Sequence, residues 1–389
     1  MNTVYVDNNA TTCVDPLVLE EMLPFLKESY GNPSSMHTFG GAVAQHIEKA
    51  RGCIATLLGA ADPSEIVLTS CGTESNNAAI HAAVASLKER RHLITTRVEH
   101  PAVKNVFDYY EEQGYQVSRL SVDRKGRLNI DELHEALSEE TALVSVMYAN
   151  NETGVIFPIE EIGALVKKKG AFFHCDAVQA VGKIPLNLEK STIDFLSLSG
   201  HKFHAPKGVG ALYIRKGMPF RPFLIGGHQE HGRRGGTENV ASIVGLGKAC
   251  ELAAAGMKKE NTQVRILRNR LEEEILSCVD HTLLNGDKEN RLPNTTNISF
   301  EYVEGEAILL MLDKYGICAS SGSACTSGSL EPSHVLRAMG VPYTAAHGSV
   351  RFSLSRFNTN KEIDFIIKKV PEIIKTLREI SPFSEKKAL

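Results

Sequence analysis

Lys202 follows Ser199-Gly200-His201 at the end of an apolar run. An amine in that place is either an ordinary surface lysine or a Schiff-base lysine kept reactive by burial. His174-Cys175-Asp176-Ala177-Val178-Gln179 closes a second apolar run. A carboxylate such as Asp176 suits the protonated nitrogen of a pyridine-type cofactor, where it keeps the ring an electron sink. The plain alternative is a cap on the following helix. In Ser70-Cys71-Gly72-Thr73-Glu74-Ser75 a glycine meets a helix start, which favours an anion such as a phosphate. Alone that signal is weak, because many helices begin with Gly-Thr. His100, in Val98-Glu99-His100-Pro101-Ala102, is either a satisfied structural histidine or an imidazole that stacks on a flat cofactor. The full glycine patterns of nucleoside-triphosphate and dinucleotide sites are absent, which counts against those ligands.

A second kind of chemistry sits nearer the C-terminus. Only small, polar or flexible residues surround Cys325 in Ser320-Ser321-Gly322-Ser323-Ala324-Cys325-Thr326-Ser327-Gly328-Ser329. Such a segment cannot pack a core, so Cys325 reads as an accessible thiol suited to group transfer. Cys318 lies in an apolar stretch, 315–319, and reads as structural. Arg351, in Val350-Arg351-Phe352-Ser353, is either a carboxylate clamp or a buried ion-pair partner.

These residues need a scaffold that brings them together. Short β-rich apolar runs at 66–69, 93–96, 117–120, 143–148, 171–175, 195–199 and 210–214 alternate with amphipathic segments beginning near Gly40, Thr73, Pro101, Ile130 and Ile159. The alternation predicts an α/β sheet covered on both faces, with ligands at the carboxyl ends of its strands. The chemistry-bearing residues fall at those ends. Beyond residue 214 a Gly/Arg-rich stretch, 226–236, leads to helices predicted at 240–255 and 261–278, then to a compact strand-and-helix region from Asn297. The expected division is a large cofactor-binding domain, 15–257, and a small domain made of 1–14 and 258–389 that carries the Cys325 segment.

Composition narrows the classes. The chain has 389 residues, 42% hydrophobic and 23% charged, with a net charge of −3 and interspersed signs. That is an ordinary balance for a globular enzyme and argues against nucleic acid or an anionic membrane as partner. The N-terminus lacks the pattern of a signal peptide, and no apolar run approaches a membrane span. Eight scattered cysteines without a Cys-x-x-Cys pair suggest reduced thiols in the cytoplasm.

Taken together the segments resemble the fold type I pyridoxal-phosphate enzymes of the aminotransferase class-V family, and within them the cysteine desulfurases of the NifS-like group. The resemblance covers nearly the whole chain. It is carried in order by DNNATT, GNPSS, TSCGTESNN, VEHPAV, ANNETG, DAVQA, SGHKFHAPKG, GRRGGTEN and SSGSACTSG. It implies a mainly parallel central sheet with a smaller α+β domain, and pyridoxal 5'-phosphate as cofactor. Lys202 would hold the cofactor covalently, Asp176 its ring nitrogen and Gln179 its hydroxyl, with His100 stacked above. Gly72, Thr73, Ser199 and His201 would hold the phosphate, with Thr237 reaching in from the other subunit of a homodimer, and Gly200 would also belong to the cofactor site. Asn151 would lie near ring and substrate, and Arg351 would clamp the carboxylate of L-cysteine. Catalysis would fall to Lys202, His100 and Cys325, the last as persulfide carrier. With an iron–sulfur scaffold protein bound as sulfur acceptor, Cys325 would also be a candidate iron–sulfur ligand. The SGSACTS pattern is that of the group with a long loop, rather than of the group that favours selenocysteine. Selenocysteine lyase activity and a non-catalytic sulfur carrier remain the alternatives.

Overall fold

The structure is a computed structural model and describes residues 3–321 and 331–382. In chain order its strands are β1 (Val4–Tyr5), β2 (Ile66–Thr69), β3 (His92–Thr96), β4 (Gln116–Leu120), β5 (Thr141–Ser145), β6 (Phe172–Asp176), β7 (Phe195–Ser199), β8 (Gly210–Ile214), β9 (Thr282–Leu284), β10 (Thr295–Phe300), β11 (Ile317–Cys318) and β12 (Ser349–Ser353). Seven of them form one sheet in the order β2-β8-β7-β6-β5-β3-β4. β8 runs antiparallel to both of its neighbours, and the other six share one direction. β2, β3, β5, β7 and β8 are buried throughout. Strands covered on both faces read as continuous apolar or β-branched runs, which is why these were legible from sequence.

One predicted strand differs from the structure. The run at 143–148 is a strand over Thr141–Ser145, and residues 146–148 continue as extended chain along the end of β6. The amides of Val146 and Tyr148 donate there to the carbonyls of His174 and Asp176. The two C-terminal helices expected at 240–255 and 261–278 are a single continuous helix, Val240–Lys259 and Arg265–Cys278 joined by a π turn at Glu260–Val264. An 18-residue window of this helix is apolar enough for a membrane span by composition. Its residues from Ala241 to Gly247, with Ala249, Cys250 and Ala253, are instead buried, and the helix packs on Pro16–Lys27 and Thr38–Leu58. The apolarity belongs to the core.

Two large apolar clusters lie on either side of the cavity described below. The first covers one face of the seven-stranded sheet, whose other face is covered by a third cluster with Val67, Leu93, Leu143, Phe195 and Leu212. The second gathers Val4 and Val6 with Leu271, Ile275, Phe300, Phe352 and the inner face of Asn360–Ile380. It is built on the antiparallel sheet β12-β10-β9 and the parallel pair β1-β11. Val335, Leu336, Met339, Val341, Ala345 and Ala346 come from the C-terminal part of the chain, yet they pack into the first cluster.

Candidate active site

The carboxyl ends of β2, β6 and β7 and the segments after β3 and β5 surround a cavity of about 310 Å³. Its walls include Gly72, Thr73, His100, Asn151, Asp176, Gln179, Ser199, His201, Lys202 and Arg351. Ten residues singled out from sequence therefore share one space, although the chain between the first and last of them spans most of its length.

Each is held by local structure. The helix Gly72–Ser86 begins directly after β2, with the Cys71 thiol accepting the Glu74 amide as its cap. The amides of a first helical turn have no acceptor within the helix, so those of Gly72 and Thr73 suit an anion. Gly72 must be a glycine for packing as well: a Cβ there would lie 2.8 Å from Cγ2 of Val178. Arg234, from the Gly/Arg-rich stretch, pairs with Glu74 at 2.9 Å and fastens that stretch beside the helix start.

Asp176 ends β6. Its carboxylate accepts from the Asn76 side-chain amide at 2.7 Å and from the Val178 backbone at 3.0 Å. His100 caps the helix Pro101–Glu112, with Nδ1 accepting the Ala102 amide at 3.1 Å. Burial lowers the His100 pKa, with nearby Asp176 pulling the other way. The ring is thus largely neutral at pH 7, and because Nδ1 is an acceptor its proton sits on Nε2. His201 bonds the Thr11 hydroxyl at 3.1 Å, and burial beside Lys202 and Lys207 drops its pKa to about 4.

The Lys202 amine donates to the carbonyls of Asn9 and Ala10, each at 2.8 Å. Arg351 lines the cavity and is also a buried ion-pair partner. Its Nη2 meets Asp7 at 2.8 Å, and its Nη1 meets the Asn151 carbonyl at 3.0 Å.

Gly200, Thr237 and Cys325 remain, of which Thr237 is expected at the partner subunit's site and not in this chain's own cavity. Gly200 does not line the cavity, and its amide is committed to the Val209 carbonyl. A Cβ at Gly200 would meet Ala205 at 2.9 Å, so this glycine serves close packing. Thr237 is exposed and lies outside the walls of this cavity. Cys325, both as nucleophile and as metal ligand, lies outside the described residues. Among the described residues no group of three or more His, Cys, Asp or Glu could hold a metal ion.

The structure also supplies residues that sequence reasoning did not assign: Asn9, Ala10, Cys71, Asn76, Met147 and Ser321 among them. DNNATT and TSCGTESNN contain the first four, but nothing in their types distinguished them from loop and helix residues. Cys175 is fully buried in the large cluster, away from the cavity.

The donor set fits pyridoxal phosphate. Helix-start amides suit its phosphate, Asp176 its ring nitrogen, the Gln179 amide its hydroxyl and Lys202 its aldehyde carbon. Asn76 Oδ1 and Arg351 Nε are buried without a hydrogen-bond partner among the described residues, and both side chains line the cavity. Unpaired buried polar atoms are costly, so a polar occupant would relieve them.

Comparison with known proteins agrees with this geometry. The family model for aminotransferase class V matches residues 4–366. A cysteine desulfurase of Trichormus azollae is 62% identical over 388 residues, covering 100% of this chain and 97% of the relative. The cysteine desulfurase NifS of Azotobacter vinelandii is 59% identical over 383 residues, covering 98% and 95%. Among solved structures, a NifS-like protein superposes with a TM-score of 0.91 at 43% identity, covering 97% of this chain and 100% of the other. A structure of SspA in complex with cysteine superposes with a TM-score of 0.80 at 36% identity, covering 92% and 100%.

Proposed function

The chain belongs to the aminotransferase class-V family, and we propose that within it the chain is a pyridoxal-phosphate-dependent cysteine desulfurase that converts L-cysteine to L-alanine and passes the sulfur to its own Cys325. One observation carries this reading: a single cavity gathers an amine, a carboxylate, an amide, an imidazole, a helix start and a guanidinium at the ends of parallel strands.

When bound, the cofactor supplies an electron sink for negative charge at the substrate Cα. Lys202 would hold it covalently, and its Nζ, when free, would take the α-proton of the substrate. Asp176 would keep the ring nitrogen protonated, and Gly72, Thr73, Ser199 and His201 would bind the phosphate. Arg351 receives the substrate carboxylate. With one arm on Asp7 and the other on the Asn151 carbonyl, its guanidinium is fixed before substrate arrives. The Cys325 thiolate attacks the substrate sulfur. A sulfur–sulfur bond forms, the carbon–sulfur bond breaks with its electron pair going to carbon, and protonation of that carbon, with return of the α-proton from Lys202 Nζ to Cα, completes L-alanine. His100, with its proton on Nε2, can serve the thiols as an acid.

The same reading extends to the assembly. The enzyme works as a cytoplasmic homodimer in which Thr237 serves the partner's phosphate site, an exposed position that its own cavity does not use. The persulfide feeds an iron–sulfur scaffold protein, with Cys325 a candidate iron–sulfur ligand in that complex, and the chain divides into 15–257 against 1–14 with 258–389. The test is Lys202→Ala supplied with cofactor. It should lose the protein-bound visible band and all alanine production. A normal band with turnover retained would remove Lys202 from the site.

A further inference from the structure

Lys183 is 5% exposed and does not line the cavity, yet its amine reaches into the polar cluster beneath it. It sits after a run of tight turns in which the Lys183 amide donates to the Ala180 carbonyl. Gly182, just before it, has a φ of 78° and no room for a Cβ against Phe203. The backbone thus fixes where the side chain starts. The amine donates to Gln179 Oε1 at 2.8 Å and to Asn9 Oδ1 at 3.0 Å.

Those bonds decide which way the Gln179 amide faces. The Asn9 carbonyl can only accept, so the Gln179 atom 2.9 Å from it must be Nε2. Oε1 is then the atom that meets Lys183, whether that amine is charged or neutral. Asn9 itself cannot swing. Its own amide donates to the Asn151 carbonyl and the Thr295 hydroxyl, and its Oδ1 also accepts from Asn294. One N–H of Gln179 is used by Asn9, Oε1 is used by Lys183, and the second N–H is left for the cavity that Gln179 lines.

We propose that Lys183 is a positioning residue for the cofactor: by holding Gln179 Oε1 it makes the glutamine present a donor, and not an acceptor, to the hydroxyl oxygen of the pyridoxal ring. The inference rests on the reading that Gln179 faces that hydroxyl. A donor there favours the deprotonated oxygen, because an anionic oxygen accepts the bond more strongly than a protonated hydroxyl does. Without Lys183, Oε1 is a buried acceptor with no donor, and the bond to the Asn9 carbonyl alone is left to hold the amide. The N–H is then presented to the ring less firmly, and the preference for the deprotonated oxygen weakens.

The measurement uses the holoenzyme and two signals besides turnover: the cofactor dissociation constant, and the ratio of the visible to the near-ultraviolet cofactor band. Wild type is compared with Lys183→Met, Gln179→Leu and the double variant, with far-ultraviolet circular dichroism reporting the fold. Each single variant should weaken cofactor binding about tenfold, as for loss of one buried hydrogen bond, and lower the band ratio. The double variant should match Gln179→Leu alone, because Lys183 acts through the glutamine. Should Lys183→Met fail to fold, Lys183→Gln makes the same comparison with a polar group retained. If Gln179→Leu alone leaves both signals at wild-type values, Gln179 is not at the ring hydroxyl, and its assignment falls together with that of Lys183. If Gln179→Leu acts but the lysine variant does not, or adds to it in full, the glutamine assignment stands and the role of Lys183 is overturned.

Discussion

Asn9 has every polar atom engaged. Its amide donates to the Ser353 hydroxyl, and its carbonyl accepts from Lys202 and Gln179. Its side chain bonds Lys183, Asn294, Asn151 and Thr295. Nothing in its residue type announces this, because an asparagine in an N-terminal loop carries no chemistry until the sheet brings its partners to it. Lys202, Asp176 and His100 were legible for the opposite reason: their types can do chemistry alone, and each follows a strand. Gly200 was over-read, since close packing and anion binding call for the same residue. Asp176 carries the residue-scale prediction. Asp176→Asn keeps the size of the side chain and can still accept the Val178 amide, so the protein should fold and bind cofactor. An amide cannot hold the ring nitrogen protonated, so the rate of alanine formation should fall on the order of a hundredfold. A near wild-type rate would reduce Asp176 to a structural acceptor for Asn76 and Val178.

The helix Gly72–Ser86 shows what its position in the fold demands. It is buried at ten of its fifteen residues and packs against β7, β8, β5 and β6 as well as the helix Pro101–Glu112. Its sequence is therefore rich in alanine and poor in amphipathic pattern, and only its start could be read. The helix Pro16–Lys27 went unread although it opens on Asp15-Pro16, a cap followed by proline at the first helical position. Its internal Pro24 and its exposed Leu17, Leu19, Leu23 and Leu26 obscured the period. β1 and β11 have two residues each, too few for any alternation to register. The element-scale prediction is Gly72→Ala. The added methyl would press on Val178, a stiff β-branched side chain that also lines the cavity. Overpacking of this kind costs about 1–3 kcal/mol, so the variant should melt earlier and bind cofactor more weakly by roughly tenfold. Unchanged affinity would mean that the helix start does not receive the phosphate.

At the scale of the whole molecule, the two apolar clusters meet through polar residues. Arg356 pairs with Asp15 at 2.8 Å, Arg351 donates to the Asn151 carbonyl at 3.0 Å, and Asn9 bonds both Lys183 and Thr295. The sheet was legible because its strands are short apolar runs spaced by helices. This joint was not, because its members lie up to 341 positions apart. The titrating groups make a further prediction. Burial lowers the pKa of His81, His92, His100 and His334, and takes His174 to about 3 and His201 and His204 to about 4. These rings stay neutral in the fold and gain a proton only on unfolding. Below about pH 6.5 the unfolded chain therefore binds more protons, and stability falls. Burial raises Glu99 to about 8 and Glu152 to about 7, and these two have the opposite sign, adding stability as pH falls from 8 towards their ordinary range. The histidines outnumber them, and lowered carboxyls such as Glu74 and Asp15 add to the loss at still lower pH. The cofactor-free protein should melt at a clearly lower temperature at pH 5 than at pH 7. Equal or higher stability at pH 5 would mean that the buried rings accept protons in the fold.

The central claim is that sulfur leaves L-cysteine for Cys325. Its most direct test is alkylation and mass spectrometry of Cys325→Ala and Cys318→Ala after incubation of each cofactor-loaded variant with L-cysteine, alongside an alanine assay. Cys325→Ala should fold, keep its visible band and bind cysteine, but carry no persulfide and release no useful alanine. Cys318→Ala, which alters a half-buried residue of β11, should keep the persulfide at Cys325. A persulfide still formed without Cys325, or lost without Cys318 in a folded protein, would contradict the account.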